Sequence, residues 1–134
     1  IELYNEGDYV MAYEKLIGLE LTTEEEQLTR NRARILADLQ QCKDEYDVFV
    51  AQGLHEFALD SLIKGVGRYE KYQDEAAEYG IGDVYNCYMD YINSKLAETY
   101  NITHEDALAI YKQKNRHYYT IELKKVLIRN GLDD

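Results

Sequence analysis

The sequence predicts an all-α fold, and three observations carry that prediction. The 134 residues contain no proline and no tryptophan, and proline is the strongest helix breaker. Apolar residues recur at three- and four-residue steps along most of the chain. Glycines and capping residues punctuate those stripes, and no strand-like alternation competes with them. The expected architecture is a single domain over 1–134, built of antiparallel helical hairpins. Residues 1–18 form a partial unit, 23–79 an elongated hairpin with two long helices, and 82–134 a C-terminal helical cap.

Each element has a local reason. Gly7 makes a turn and Asp8 is placed to cap the next helix, whose face is Tyr9, Ala12, Tyr13, Leu16 and Ile17. Gly18 ends it. Thr22 or Thr23, followed by Glu24, Glu25 and Glu26, is a strong helix start, because hydroxyl caps and early acids both suit the positive helix end. The stripe Leu28, Ile35, Leu39, Cys42, Tyr46, Phe49 then predicts one helix over 23–52. Gly53 turns the chain into a second long stripe, Ala58, Leu59, Leu62, Val66, Tyr69, Tyr72, Ala76. Gly65 and Gly67 lie inside it and each weakens a helix by about 1 kcal/mol against alanine. Their presence predicts a close helix–helix approach. Gly80 ends this helix, and Gly82 or Asp83 opens another with the face Tyr85, Tyr88, Met89, Ile92, Leu96, Tyr100. A short helix starts at Thr103-His104-Glu105-Asp106, a break falls near 113–115, and a last helix carries Tyr118 or Tyr119, Ile121, Leu123, Val126, Leu127 and Ile128.

Two stretches repeat. Gly7-Asp8-Tyr9-Val10-Met11-Ala12-Tyr13-Glu14-Lys15-Leu16 and Gly53-Leu54-His55-Glu56-Phe57-Ala58-Leu59-Asp60-Ser61-Leu62 share Gly, four residues, Ala, three residues, Leu. Glycine permits the tight turn, alanine permits close helix approach, and leucine fills the groove one turn later. This pattern resembles the second half of a tetratricopeptide repeat. Gly7, Tyr9, Ala12 and Leu16 match that family's turn glycine, aromatic, small and large positions. Gly53, Ala58 and Leu62 match as well, with His55 in place of the aromatic. The units stand 46 residues apart, against about 34 in the family, and residues 82–134 carry no such signature. The resemblance implies a right-handed superhelical array of tetratricopeptide-like hairpins. It also makes Ile1 to Asn5 the stump of a first helix whose remainder lies upstream in a longer chain, leaving Tyr4, Tyr9 or Val10 partly exposed.

Composition narrows the function. The net charge of −11 disfavours nucleic acid and anionic membrane surfaces, both of which require lysine and arginine to meet phosphate. Basic bands do occur, at Arg30, Arg32, Arg34 and Lys43 and again at Lys112, Lys114, Arg116, Lys124, Lys125 and Arg129. They are solvated helix faces, or they meet an acidic partner or an acidic face of the same fold. Cys42 and Cys87 fall on apolar stripes and are expected to be buried free thiols. No two histidines, and no histidine and cysteine, stand at the i, i+4 spacing of a zinc site. Gly65-Val66-Gly67 lacks the strand and third glycine of a phosphate loop. Ser61 and Ser94 have no nucleophile-elbow context. The expectation is therefore no enzyme activity, no cofactor and no metal. Fourteen tyrosines are the unusual feature, dense at Tyr69, Tyr72, Tyr79, Tyr85, Tyr88 and Tyr91. They pack as half-buried rings or line a recognition surface, since tyrosine does both.

The expected function is a non-catalytic scaffold that binds a protein or peptide. The family resemblance places the contact surface on the first helix of each unit, which points to Arg34, Gln40, Lys43, Asp47 and Val50. The alternatives are a structural spacer or self-assembly domain of a larger, membrane-anchored bacterial protein, acting as a homo-oligomer or against its own upstream segment, and then a small-ligand or enzymatic helical domain. No stretch of this segment is apolar enough for membrane insertion. It reads as a soluble segment, cytoplasmic in preference to secreted, with an upstream anchor compatible with it.

Overall fold

The computed structural model of the chain describes residues 7–16 and 23–132. Those residues form six helices and no strand: α1 (Tyr9–Leu16), α2 (Glu24–Ala51), α3 (His55–Glu78), α4 (Gly82–Tyr100), α5 (His104–Tyr111) and α6 (Arg116–Arg129). The all-α expectation holds, with the two long helices where the stripes placed them. At 28 and 24 residues, α2 and α3 are about 42 and 36 Å long. Thr22, Gly18 and the stump at Ile1 to Asn5 lie outside the described residues, as does the side chain of Leu16.

The helix starts follow their capping chemistry. Asp8 Oδ1 accepts from the Met11 amide at 3.2 Å at the head of α1. Thr23 Oγ1 accepts from the Glu26 amide at 3.1 Å and its hydroxyl donates to Glu26 Oε1 at 2.8 Å. Thr103 and Asp106 close a full capping box on α5, and Asn115 Oδ1 accepts from His117 and Tyr118 at the start of α6. Helix α4 opens at Gly82, one of the two expected starts, with Ile81 in the cap position and no side-chain bond there. Both repeat glycines have left-handed backbone, φ +83° at Gly7 and +72° at Gly53, a region that costs any residue with a Cβ.

Packing makes α3 the hub. It touches α2, α4, α5 and α6, while α2 also touches α1 and α4. Because the long helices bury a strip, two apolar clusters form along them. One end joins Ile35, Leu36 and Leu39 of α2 to Tyr72 and Ala76 of α3, Ile81 and Tyr85. The other joins Tyr46, Leu59, Leu62, Ile63 and Val66 to Ile92, Leu96 and Tyr100 of α4 and to residues of α5 and α6. A fully buried leucine or isoleucine there contributes about 1.5–3 kcal/mol. The two inner glycines of α3 do permit close approach. A Cβ at Gly65 would stand 2.7 Å from Ile92 Cδ1 and 3.4 Å from Cys42 Cβ, and one at Gly67 would collide with the Tyr111 ring.

The tyrosines tie the helices together. Tyr72 of α3 donates to Asp38 of α2 at 2.7 Å. Tyr91 of α4 donates to Asp47 of α2, and Tyr119 of α6 donates to Asp60 of α3. In each case the ring packs while the hydroxyl meets a carboxylate of a neighbouring helix, which a phenylalanine cannot do. Tyr69 and Tyr85 stack with centroids 4.6 Å apart. Of the two tyrosines offered for the face of α6, Tyr119 is the buried one. Two exposures depart from the sequence reading: Ile128 is exposed, and so is Cys87 where a buried thiol was expected. Cys87 sits beside the buried stripe Tyr85, Met89, Ile92, Leu96 rather than on it.

Candidate functional site

Helix α4 carries two stripes. Tyr85, Met89, Ile92 and Leu96 turn into the core. Val84, Cys87, Tyr88 and Tyr91, at i, i+3, i+4 and i+7, turn instead into a groove closed by Gly7 and Tyr9 at the head of α1 and by Lys43 of α2. Its volume is about 420 Å³, within the range of small-ligand and side-chain pockets. Tyr9 meets Tyr88 edge to face at 6.2 Å. Burial raises the Tyr88 hydroxyl well above the ordinary tyrosine range, and Tyr9, Asp44 and Asp8 add to it. The groove therefore offers aromatic surface with its phenol neutral.

Its polar rim is set by one cluster. Lys43 Nζ lies 2.8 Å from Asp47 Oδ2 and 4.8 Å from the centre of the Tyr91 ring. Asp47 in turn accepts from the Tyr91 hydroxyl. Lys95 approaches the same ring at 5.3 Å. A lysine over a tyrosine face is attracted by the ring quadrupole, so Lys43 is held in place while its charge is balanced by Asp47.

The five residues expected to meet a partner fall into different settings. Lys43 lines the groove, and Asp47 is its ion-pair partner. Gln40 lies under α1: its Oε1 accepts from the Tyr9 and Val10 amides at 3.0 Å each, and its Nε2 donates to the Gly7 carbonyl at 3.2 Å. Arg34 is away from the groove, bonded to Glu75 of α3 at 2.7 Å with its guanidinium 5.6 Å from the Tyr72 ring centre. Val50 is partly buried against the core. Tyr88 and Tyr91 were legible in the sequence as part of a tyrosine-dense junction. Val84 and Cys87 were not; the i, i+4 spacing of Val84 to Tyr88 and of Cys87 to Tyr91 was the available signal.

Other chemistry-bearing side chains are engaged in the fold. His55 Nδ1 stands 3.1 Å from the Tyr100 hydroxyl. His104 bridges Asn93 of α4 at 3.1 Å and Glu70 of α3 at 2.8 Å. Burial pushes the Cys42 thiol up against the lowering pull of Arg68, whose Nη1 donates to Sγ at 2.7 Å. Among the described residues, no three of His, Cys, Asp or Glu come together as metal ligands. None of the described helices is long and apolar enough to cross a membrane. No family model, curated protein or solved structure matches this chain.

Proposed function

We propose that the chain is a non-catalytic interaction module of tetratricopeptide-like type, and that the groove between α1, α2 and α4 receives an apolar or aromatic side chain of a protein or peptide partner. The observation that carries this reading is the Val84–Cys87–Tyr88–Tyr91 stripe, which lines a groove with few polar groups while Tyr88 and Tyr91 rest half-buried against the core clusters. The order of packing supports the tetratricopeptide-like arrangement. Helix α4 lies on both α2 and α3, as the first helix of a third unit would lie on the two helices of the second.

Because Lys43 already balances Asp47, a glutamate at 43 would repel its neighbours as well as a partner. Val84→Arg is the cleaner test, since Val84 is 37% exposed and arginine there fills the groove without touching the core. Peptides selected from a random library for binding to this chain should share an apolar anchor and lose binding to Val84→Arg, with the circular dichroism spectrum unchanged. Selected peptides that bind the variant equally well would remove the groove from this role.

A second reading, self-assembly within a larger protein, is favoured by the α2–α3 turn. Val48, Leu54 and Phe57 are exposed there, and the Phe49 and Phe57 rings lie 5.4 Å apart. Light scattering across a concentration series distinguishes it: a constant monomer mass counts against self-assembly.

A further inference from the structure

The connection from α5 to α6 gathers positive charge in an acidic chain. Residues 107–121 include Lys112, Lys114, Arg116 and His117 and no Asp or Glu, although the chain carries a net −11. The fold brings Lys114 and Arg116 together with Lys64 of α3 around a cleft of about 270 Å³ walled by Tyr111, Gln113 and Tyr119. Two acids stand close by: Glu56, which lines an adjoining hollow with Arg116 and Tyr119, and Asp60, which is engaged. One of its oxygens holds Lys64 Nζ at 2.7 Å and the other accepts from the Tyr119 hydroxyl. Lys114 and Arg116 have no carboxylate within ion-pair distance among the described residues. The Arg116 guanidinium lies 5.3 Å from the Tyr119 ring centre, a contact that steadies its plane while its N–H groups remain available to an anion.

A second observation concerns the wall. Gly67, in the interior of α3, clears the space in which the Tyr111 ring lies. A glycine weakens a helix at such a position, yet the ring it seats remains 41% exposed. The close approach thus holds a partly exposed aromatic ring in the wall of the cleft that Lys64, Lys114 and Arg116 line.

We propose that this cleft binds a phosphate monoester, with the phosphate among Lys64, Lys114 and Arg116 and the organic group against Tyr111. A monoester near neutral pH carries close to two charges and three strong acceptor oxygens. With Lys64 paired to Asp60, the three cations of three separate elements leave an excess of two charges, which matches that demand better than it matches a carboxylate, with its one charge and two oxygens. The ester is a small metabolite or a phosphorylated side chain of a protein. The site shares no residue with the groove between α1, α2 and α4 and does not depend on it.

Amide chemical-shift titrations of the intact chain test this with phenyl phosphate, inorganic phosphate, benzoate and a phosphotyrosine peptide with neutral flanks. Phenyl phosphate should saturably shift the amides of 112–117 and Gly67. Benzoate should bind at least about tenfold more weakly, and Lys114→Ala/Arg116→Ala should lose about tenfold or more, as removal of charge-assisted bonds predicts. Both side chains are exposed, so circular dichroism should be unchanged. Val84→Arg should leave the titration as it is. A phosphopeptide that binds more tightly than phenyl phosphate assigns the ester to a protein, and equal binding assigns it to a small molecule. Equal binding of benzoate, undiminished binding by the double variant, inorganic phosphate binding as tightly as phenyl phosphate, or shifts confined to other regions would overturn the proposal.

Discussion

Helices α1 and α3 begin alike and end differently. Each follows a glycine with left-handed backbone, at Gly7 and at Gly53, and each buries the alanine five residues on, Ala12 at 2% and Ala58 at 0% exposure. Helix α1 spans 8 residues and packs on α2, while α3 spans 24 and touches four neighbours. The N-terminal amides of α1 are met by two side chains, Asp8 from its own turn and Gln40 from α2. Helix α3 has no side-chain cap. A short helix with one packing face relies on polar tethers at its end. A long helix in the hub is held by burial and dispenses with the cap. The same sequence pattern thus starts two helices whose stability has different sources.

The largest expected effect tests the hub. Leu62→Ala removes a fully buried side chain and should cost about 2–5 kcal/mol of global stability in chemical denaturation. A loss well under 1 kcal/mol would show that α3 is not the common core. The next test lies on the same helix. Gly65→Ala gains helix propensity but drives a Cβ against the tip of the buried Ile92 side chain, 2.7 Å away. A net loss of about 1–3 kcal/mol is expected, as for overpacked cores, and a stabilised variant would mean that α4 shifts freely.

The tether of α1 should respond locally. Gln40→Ala removes the acceptor of the Tyr9 and Val10 amides. Hydrogen exchange in α1 should quicken by the equivalent of about 1 kcal/mol, with the global unfolding midpoint nearly unchanged. A full loss of global stability would place α1 in the hub instead. The last test is read along the alkaline limb of stability rather than at one pH. Burial pushes the Tyr72 hydroxyl up to about 12, helped by its bond to Asp38. A folded value above the unfolded one means that the folded state retains a proton the unfolded state releases. That contribution is complete below about pH 10 and is lost as pH rises toward 12. Tyr72→Phe should therefore flatten the alkaline fall in stability between those values, read beside an ultraviolet titration of phenolate. An unchanged alkaline limb would show that Tyr72 titrates as an exposed phenol.

Much of the fold was legible because its causes are local. Thr23 with Glu26, Thr103 with Asp106, and Gly53 with its left-handed backbone each fix a boundary within a few residues of themselves. Period-three-and-four stripes then specify which face is apolar. The candidate site was less legible. Lys43 and Asp47 could be named from the sequence, but nothing local shows that Asp47 also accepts from Tyr91, 44 residues away. Cys87 looked buried because it sits within a stripe-rich helix, and only the angular position of α4 against α2 and α3 turns it outward.

The sequence by itself determined the six helices of the described residues, most of their boundaries, the two long apolar stripes and the need for close approach at Gly65 and Gly67. These follow from backbone sterics and from periodicity, which act over one or two turns. Only the tertiary structure decided which tyrosines bind carboxylates across helices, which side of α4 opens into a groove, and that Lys64 joins Lys114 and Arg116 around one cleft. Those outcomes depend on how whole helices are set against one another, a choice made by the summed burial of both apolar clusters rather than by any single stretch of chain.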